Sequence, residues 1–153
     1  MNHSSSIKEK LYKACEANIT QRIDNIRERL ESIKESINNE TKSSVGDKHE
    51  TGRVMMQLEA ENTKAQFASA LQTKKFLSSI DYASAFHTAQ KGSLVVTNQA
   101  NYFLAIGIGK VVLEDKIYYC ISQDSPIAKK LRRKKVGEEI DFNGRKITLK
   151  EIY

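Results

Sequence analysis

The stretch ITQRIDNIRERLESIKESI, residues 19–37, decides how this chain is read. Its apolar positions Ile19, Ile23, Ile26, Leu30, Ile33 and Ile37 step by four, three, four, three and four, the heptad seam of a helix that packs along another helix. Between them lie Arg22, Asp24, Arg27, Glu28, Arg29, Glu31, Lys34 and Glu35, a solvated face on which Arg27 and Glu31, then Glu31 and Lys34, are spaced for pairing. The pattern lapses in NNETKSSVGDKHETG, residues 38–52, so 39–47 reads as a connection. It resumes at Met56, Ala60, Thr63, Phe67, Ala70, Lys74 and Leu77, with small residues where the first seam has branched ones. Two long helices with a short connection make an antiparallel coiled-coil hairpin, expected over residues 7–82 with a tip loop at about 39–50. About 30 helical residues per arm would give a rod roughly 45–50 Å long.

Past residue 90 the spacing changes to short β-rich runs at 93–97, 102–108, 110–113, 117–121, 139–142 and 146–152. Asn143-Gly144 between the last two tolerates the positive φ that a tight hairpin turn requires. Ser125 suits an N-cap and Pro126 the first helical position, so IAKKLRRKK reads as a short helix ahead of Val136-Gly137. The fold class is α+β: a helical hairpin, then a small β-rich domain over 90–153. Residues 1–6 read as a frayed start.

At 153 residues and 17.3 kDa the chain holds one ordinary domain or two small ones. Its 25 Lys and Arg against 19 Asp and Glu give a net charge of +6, which favours an anionic partner. The stretch before Ile80 carries 13 basic and 11 acidic residues, that from Ile80 onward 12 and 8, so the second is the more basic. Cys15 and Cys120 stand 105 positions apart, with no CxxC and no neighbouring His, which argues against a disulfide framework and a zinc site and fits a reducing cytoplasm. No signal-peptide core and no run of about 18 apolar residues occurs, so neither export by that route nor membrane spanning is expected.

Asp47 and Glu50, three apart in GDKHETGR, bring two carboxylates to the expected tip. Their spacing suits a capping box at the start of the second helix, and hard oxygen ligands at an exposed tip also suit Mg²⁺ held in another protein's active site; the two readings coexist. Lys42, Lys48 and Arg53 could meet RNA or phosphate, or simply be solvated; His49, far from His3 and His87, reads as an exposed loop residue. Six of the seven residues from Lys129 to Lys135 are basic, which suits either a helix C-terminus or a phosphate or acidic protein surface. Tyr102, Phe103, Tyr118 and Tyr119 are expected mainly as core. Gly107 and Gly109 make no nucleotide fingerprint, and no P-loop, nucleophile elbow or Cys/His pair is present, so a self-contained enzyme is not expected.

From about residue 8 to 153 the chain resembles the Gre family of bacterial transcript-cleavage factors, of the GreA/GreB kind. The resemblance rests on SPIAKKL at 125–131, on Lys135-Val136-Gly137-Glu138-Glu139, on the closing run 146–153, and on Gly46-Asp47 with Glu50 in the hairpin loop. After Glu50 this chain has Thr51-Gly52-Arg53 where the family usually has an Asn and further acidic or aromatic residues. The resemblance implies an FKBP-like second domain that docks on RNA polymerase, with Ser125, Pro126, Ile127, Lys129 and Lys130 as the polymerase-binding residues. It implies a hairpin that enters the secondary channel, where Asp47 and Glu50 assist a Mg²⁺ ion shared with the polymerase, beside the 3′ end of the nascent RNA. Backtracked RNA is then cut by the polymerase itself, so the factor is not an enzyme and has no cofactor of its own. Two other readings stay open: a Gre-like regulator or inhibitor that does not promote cleavage, and a coiled-coil adaptor that binds another protein. Direct nucleic-acid binding through Lys129–Lys135 would show as salt-sensitive affinity; independent sequence-specific DNA binding is not expected.

Overall fold

The computed structural model describes residues 3–42 and 48–153, with side-chain surroundings given except at 41, 42 and 48–50. Two helices, α1 (His3–Lys42) and α2 (Lys48–Ser78), precede the strands β1 (Leu94–Thr97), β2 (Asn101–Ala105), β3 (Gly109–Leu113) and β4 (Lys116–Ser122), the short helix α3 (Pro126–Leu131), and β5 (Glu139–Phe142) and β6 (Arg145–Ile152). The fold is α+β, as the two periodicities require. The chain divides into two compact units, Ile19–Lys75 and Met1–Asn18 with Phe76–Tyr153, so the helical segment expected over 7–82 is shared between them.

Within Ile19–Lys75 the heptad positions are the packed ones. Ile19, Ile23, Ile26 and Ile33 on α1 and Ala60, Thr63 and Ala70 on α2 are buried. Thr63 satisfies its hydroxyl by donating to Glu59 O at 2.8 Å, which removes the cost of burying it. Arg29 donates to Gln66 at 3.4 Å, Arg27 lies over the Phe67 ring at 5.6 Å, and Glu40 approaches Gly52, so numbering falls along α2 as it rises along α1: the pair is antiparallel. Lys74, placed on the seam by spacing, is exposed. The expected loop at 39–50 is shorter than that, because 39–42 complete α1 and 48–50 begin α2. Neither Gly nor Pro interrupts Asn39-Glu40-Thr41-Lys42, so the helix runs past the last seam residue.

The second unit is built on a six-stranded sheet in the order β3-β4-β2-β1-β6-β5, in which the pair β2–β4 is parallel and every other pair antiparallel. Each of the six strands falls on a β-rich run, but β2 ends at Ala105, short of the run expected to reach 108. Asn143 and Gly144 have φ of 50° and 78°, the tight turn expected there. A second such turn, Glu114-Asp115 with φ of 51° and 64°, joins β3 to β4 without the sequence signal. One sheet face carries Val95, Leu104, Ile147 and Leu149, which pack with Ile127 and Leu131 of α3. The opposite face, with Leu94, Phe103, Tyr118 and Cys120, belongs to the side of α1, whose Ile7, Leu11 and Cys15 recur every fourth residue and are buried. His3–Ser6, expected to fray, form the first turn of α1 because Ile7 beyond them is fixed by this packing.

The segment after α2 is tied to α1. Asp81 accepts from the amides of Ala83 at 3.0 Å and Ser84 at 3.1 Å and from the Ser84 hydroxyl, interactions that hold its carboxyl below the usual range, the Ser84 hydroxyl first. Gly92, at φ 88°, is the one residue that fits beside it: an added Cβ would stand 2.7 Å from Asp81 O. The Tyr12 and Tyr82 rings pack at a tilt of 37°, with centroids 4.6 Å apart. Lys8 is 2% exposed, donates to Ser84 O at 2.8 Å and sits over the Phe86 ring at 4.7 Å.

Burial brings the Lys8 amine down to about 8 from 10.5, with Asp81 opposing the shift. A lowered amine means that the unfolded chain binds more protons at this residue than the folded one between those two values, so the contribution of Lys8 to stability is least favourable below pH 8 and improves from there towards 10.5. In urea unfolding from pH 7 to pH 10.5 the wild type is expected to gain on the order of 1–3 kcal/mol relative to Lys8→Met; equal pH dependence in the two proteins would contradict it.

Candidate functional site

The sequence points to two sites, one in each unit. At the end of the helical pair, Glu50 is the third residue of α2, in the first turn, where a helix favours an acidic residue. Lys42 and Lys48 are the last residue of α1 and the first of α2, and His49 follows on α2. Asp47 lies outside the described residues, as do the side chains of Lys42, Lys48, His49 and Glu50. Arg53 is exposed on α2. The structure adds one acid that spacing did not single out: Glu40, whose Oε2 stands 4.0 Å from a Cβ placed on Gly52. It was hidden in NNETK, read as connection rather than helix, although its charge beside Asp47 and Glu50 in sequence was visible.

Carboxylate oxygens are what Mg²⁺ takes, but two or three of them fill only part of an octahedral shell. The donor set therefore fits an ion shared with other ligands better than a self-contained site. Among the described residues no group of three or more His, Cys, Asp and Glu is arranged to hold a metal.

The second site surrounds α3. Ser125, with extended backbone at φ −65° and ψ 149°, accepts from Ala128 N at 3.2 Å and donates to Ser122 O at 2.8 Å, and Pro126 opens the helix. This is the cap that Ser-Pro predicts. The helix turns Ile127, Ala128 and Leu131 into the core and leaves Pro126, Lys129 and Lys130 exposed. Of the five residues expected to meet the polymerase, then, Ile127 is spent on packing and the Ser125 hydroxyl on capping.

The helix stops at Leu131 rather than running through the basic cluster. Arg132 leaves it at ψ 128°, Arg133 adopts φ 67°, and the chain pairs with the segment before β1 through Arg133 N to Ala89 O and Ala89 N to Lys134 O, both 2.9 Å. Lys129 and Lys130 thus end a helix, where its dipole favours cations, while Lys134 and Lys135 extend beside Thr88. Lys134 meets Glu138 at 3.7 Å, an exposed pair of small energetic weight.

The aromatic set divides by strand alternation. Phe103 and Tyr118 are buried on the α1 side, whereas Tyr102 and Tyr119 face the other way with ring centroids 6.2 Å apart. On the Tyr119 face Val112 lies opposite Ile117, and Lys110 opposite Tyr119. Val112 is 57% exposed, Ile117 43% and Tyr119 36%, an apolar strip on the face that α3 covers elsewhere. Sequence reasoning missed this strip, because a run apolar on both faces reads simply as a buried strand. No helix among the described residues is long and apolar enough to cross a membrane.

No protein-family model matches the chain, and no curated protein matches its sequence. Among solved structures it is similar to the transcription factor Gfh1, with 21% identity, 92% of this chain and 94% of that one covered, and a TM-score of 0.39.

Replacing the cap tests how far α3 depends on it. Ser125→Ala is expected to cost about 1 kcal/mol in urea unfolding, because it strands the Ala128 amide; a change below a few tenths would mean that solvent satisfies the amide equally well.

Proposed function

We propose that this chain is a transcription elongation factor of the Gre type: it binds RNA polymerase, inserts its helical pair into the secondary channel and stimulates cleavage of backtracked RNA. The observation that carries this reading is the gathering of acidic residues at one end of an antiparallel helical pair, with Glu40 at the end of α1 beside Gly52 and Glu50 in the first turn of α2. An end rich in carboxylates and built on two mutually supporting helices is suited to presenting them inside another protein.

In this reading Asp47 and Glu50 lend carboxylate oxygens to a Mg²⁺ ion held mainly by the polymerase, which supplies Lewis acidity and an activated water. The chain's own part is positioning. Lys42, Lys48 and Arg53 lie close in sequence to these acids, where cations offset the repulsion between carboxylates and RNA phosphates. The second unit docks on the polymerase surface through the exposed Pro126, Lys129 and Lys130 and through the apolar strip Val112, Ile117 and Tyr119, which has Lys110 beside it. The polymerase remains the catalyst, the factor carries no cofactor of its own, and it works in the cytoplasm of a bacterium.

The deciding experiment follows RNA shortening in backtracked elongation complexes from the source organism at fixed Mg²⁺. The wild-type protein is expected to accelerate shortening and Asp47→Ala/Glu50→Ala to abolish the effect while still binding. If neither protein shortens RNA but both bind and slow elongation, the chain is a non-cleaving regulator; absence of binding would leave the adaptor reading. In the same assay Lys129→Glu/Lys130→Glu is expected to weaken polymerase binding about tenfold at low salt, and less at high salt.

A further inference from the structure

The two cysteines, which nothing in the proposed function uses, come together in the fold. Cys15 on α1 and Cys120 on β4 are both free thiols, 0% and 1% exposed. Their side chains are hydrogen-bonded to each other although 105 positions separate them in sequence, and the backbone N–H of Ile106 donates to the same Cys15 sulfur. Both belong to the unit formed by Met1–Asn18 and Phe76–Tyr153.

We propose that Cys15 and Cys120 form a redox site that a hydroperoxide converts to an intramolecular disulfide and a dithiol reductant restores. Sulfurs already in hydrogen-bond contact need a closure of roughly 1–2 Å to reach bonding distance. The roles of the two differ. The hydrogen bond from the Cys120 thiol, with the Ile106 amide, lowers the Cys15 thiol against the opposing effect of burial, whereas that same hydrogen bond and then burial push the Cys120 thiol up. Of the two, Cys15 is therefore the more readily ionised and takes the attacking role, with Cys120 as the resolving thiol.

The chemistry balances in two steps. The Cys15 thiolate attacks one oxygen of hydrogen peroxide; an S–O bond forms, the O–O bond breaks, and the departing hydroxide is protonated to water, leaving Cys15 as a sulfenic acid. Cys120 sulfur then attacks Cys15 sulfur as its proton passes to the leaving hydroxyl; the S–S bond forms, the S–O bond breaks and a second water is released. The two sulfurs supply the two electrons that reduce the peroxide. Hydrogen peroxide is close to water in size, so a brief opening of the packing around α1 admits it where bulkier reagents are held out. The product ties α1 to β4 and closes a loop that contains the whole of Ile19–Lys75.

The test treats the native full chain with a modest excess of hydrogen peroxide, unfolds it in the presence of N-ethylmaleimide and weighs it. The expected product has lost about 2 Da, carries no maleimide, yields a linked pair of peptides containing Cys15 and Cys120, and regains both thiols with dithiothreitol. Cys120→Ser is expected to accumulate a dimedone-reactive sulfenic acid at Cys15, and Cys15→Ser to react far more slowly. Two maleimides on the peroxide-treated native protein would overturn the proposal. So would irreversible oxygen addition at either sulfur, disulfide-linked dimers in place of the internal bond, or equal reactivity of the two single variants.

Discussion

Burial of one stripe of α1 is the constraint on which the sheet unit depends. A six-stranded sheet with apolar residues on both faces needs a cover on each, and α3, six residues long, serves only one of them. The other belongs to Ile7, Leu11 and Cys15, supplied from the far end of the sequence. The Lys8 stem lies beside that stripe, its amine held by Ser84 O and the Phe86 ring, so the same turn of α1 also fixes the segment that leads from α2 to β1. The buried amine is tolerated because a carbonyl and an aromatic face stand in for water, at the cost of its ordinary basicity.

The region around α3 shows a division of labour between adjacent residues. Helical spacing sends Ile127, Ala128 and Leu131 inward and Lys129 and Lys130 outward, so one turn of chain supplies both the core and a positive surface. The pairing of 133–134 with Ala89 then draws the remaining cations away from the helix axis and spreads them along an extended segment. A basic surface built this way has a shape fixed by backbone hydrogen bonds rather than by long, mobile side chains alone.

Much of this was legible in the sequence, because periodicity reports which face of an element is buried. The steps of four and three from Ile19 to Ile37 and from Met56 to Ala70 match the packed faces of the helical pair, and each β-rich run became a strand. Ser125-Pro126 and Asn143-Gly144 are local signals with local causes, and both were decisive. What escaped was non-local. No spacing rule brings Cys15 to Cys120, turns Arg133 out of a helix to meet Ala89, or holds His3–Ser6 helical through the packing of Ile7. At the candidate site the acids and cations were legible as residue types, while the nearness of Glu40 to Gly52 depended on how far α1 runs.

The position of β6 has a consequence for the order in which the molecule can be made. It lies between β1 and β5, inside the sheet, although it follows every other strand in sequence. Ile19–Lys75 needs only contacts between neighbouring helices and can assemble while the ribosome is still extending the chain. The sheet must wait for residues 145–152, and until they emerge β1 keeps an open edge, β5 has no neighbour, and Ile140 lacks the cover of Ile147. Synthesis therefore lets the helical pair form first and the sheet unit last, with an interval in which exposed strand edges are the nascent chain's main liability to misassociation.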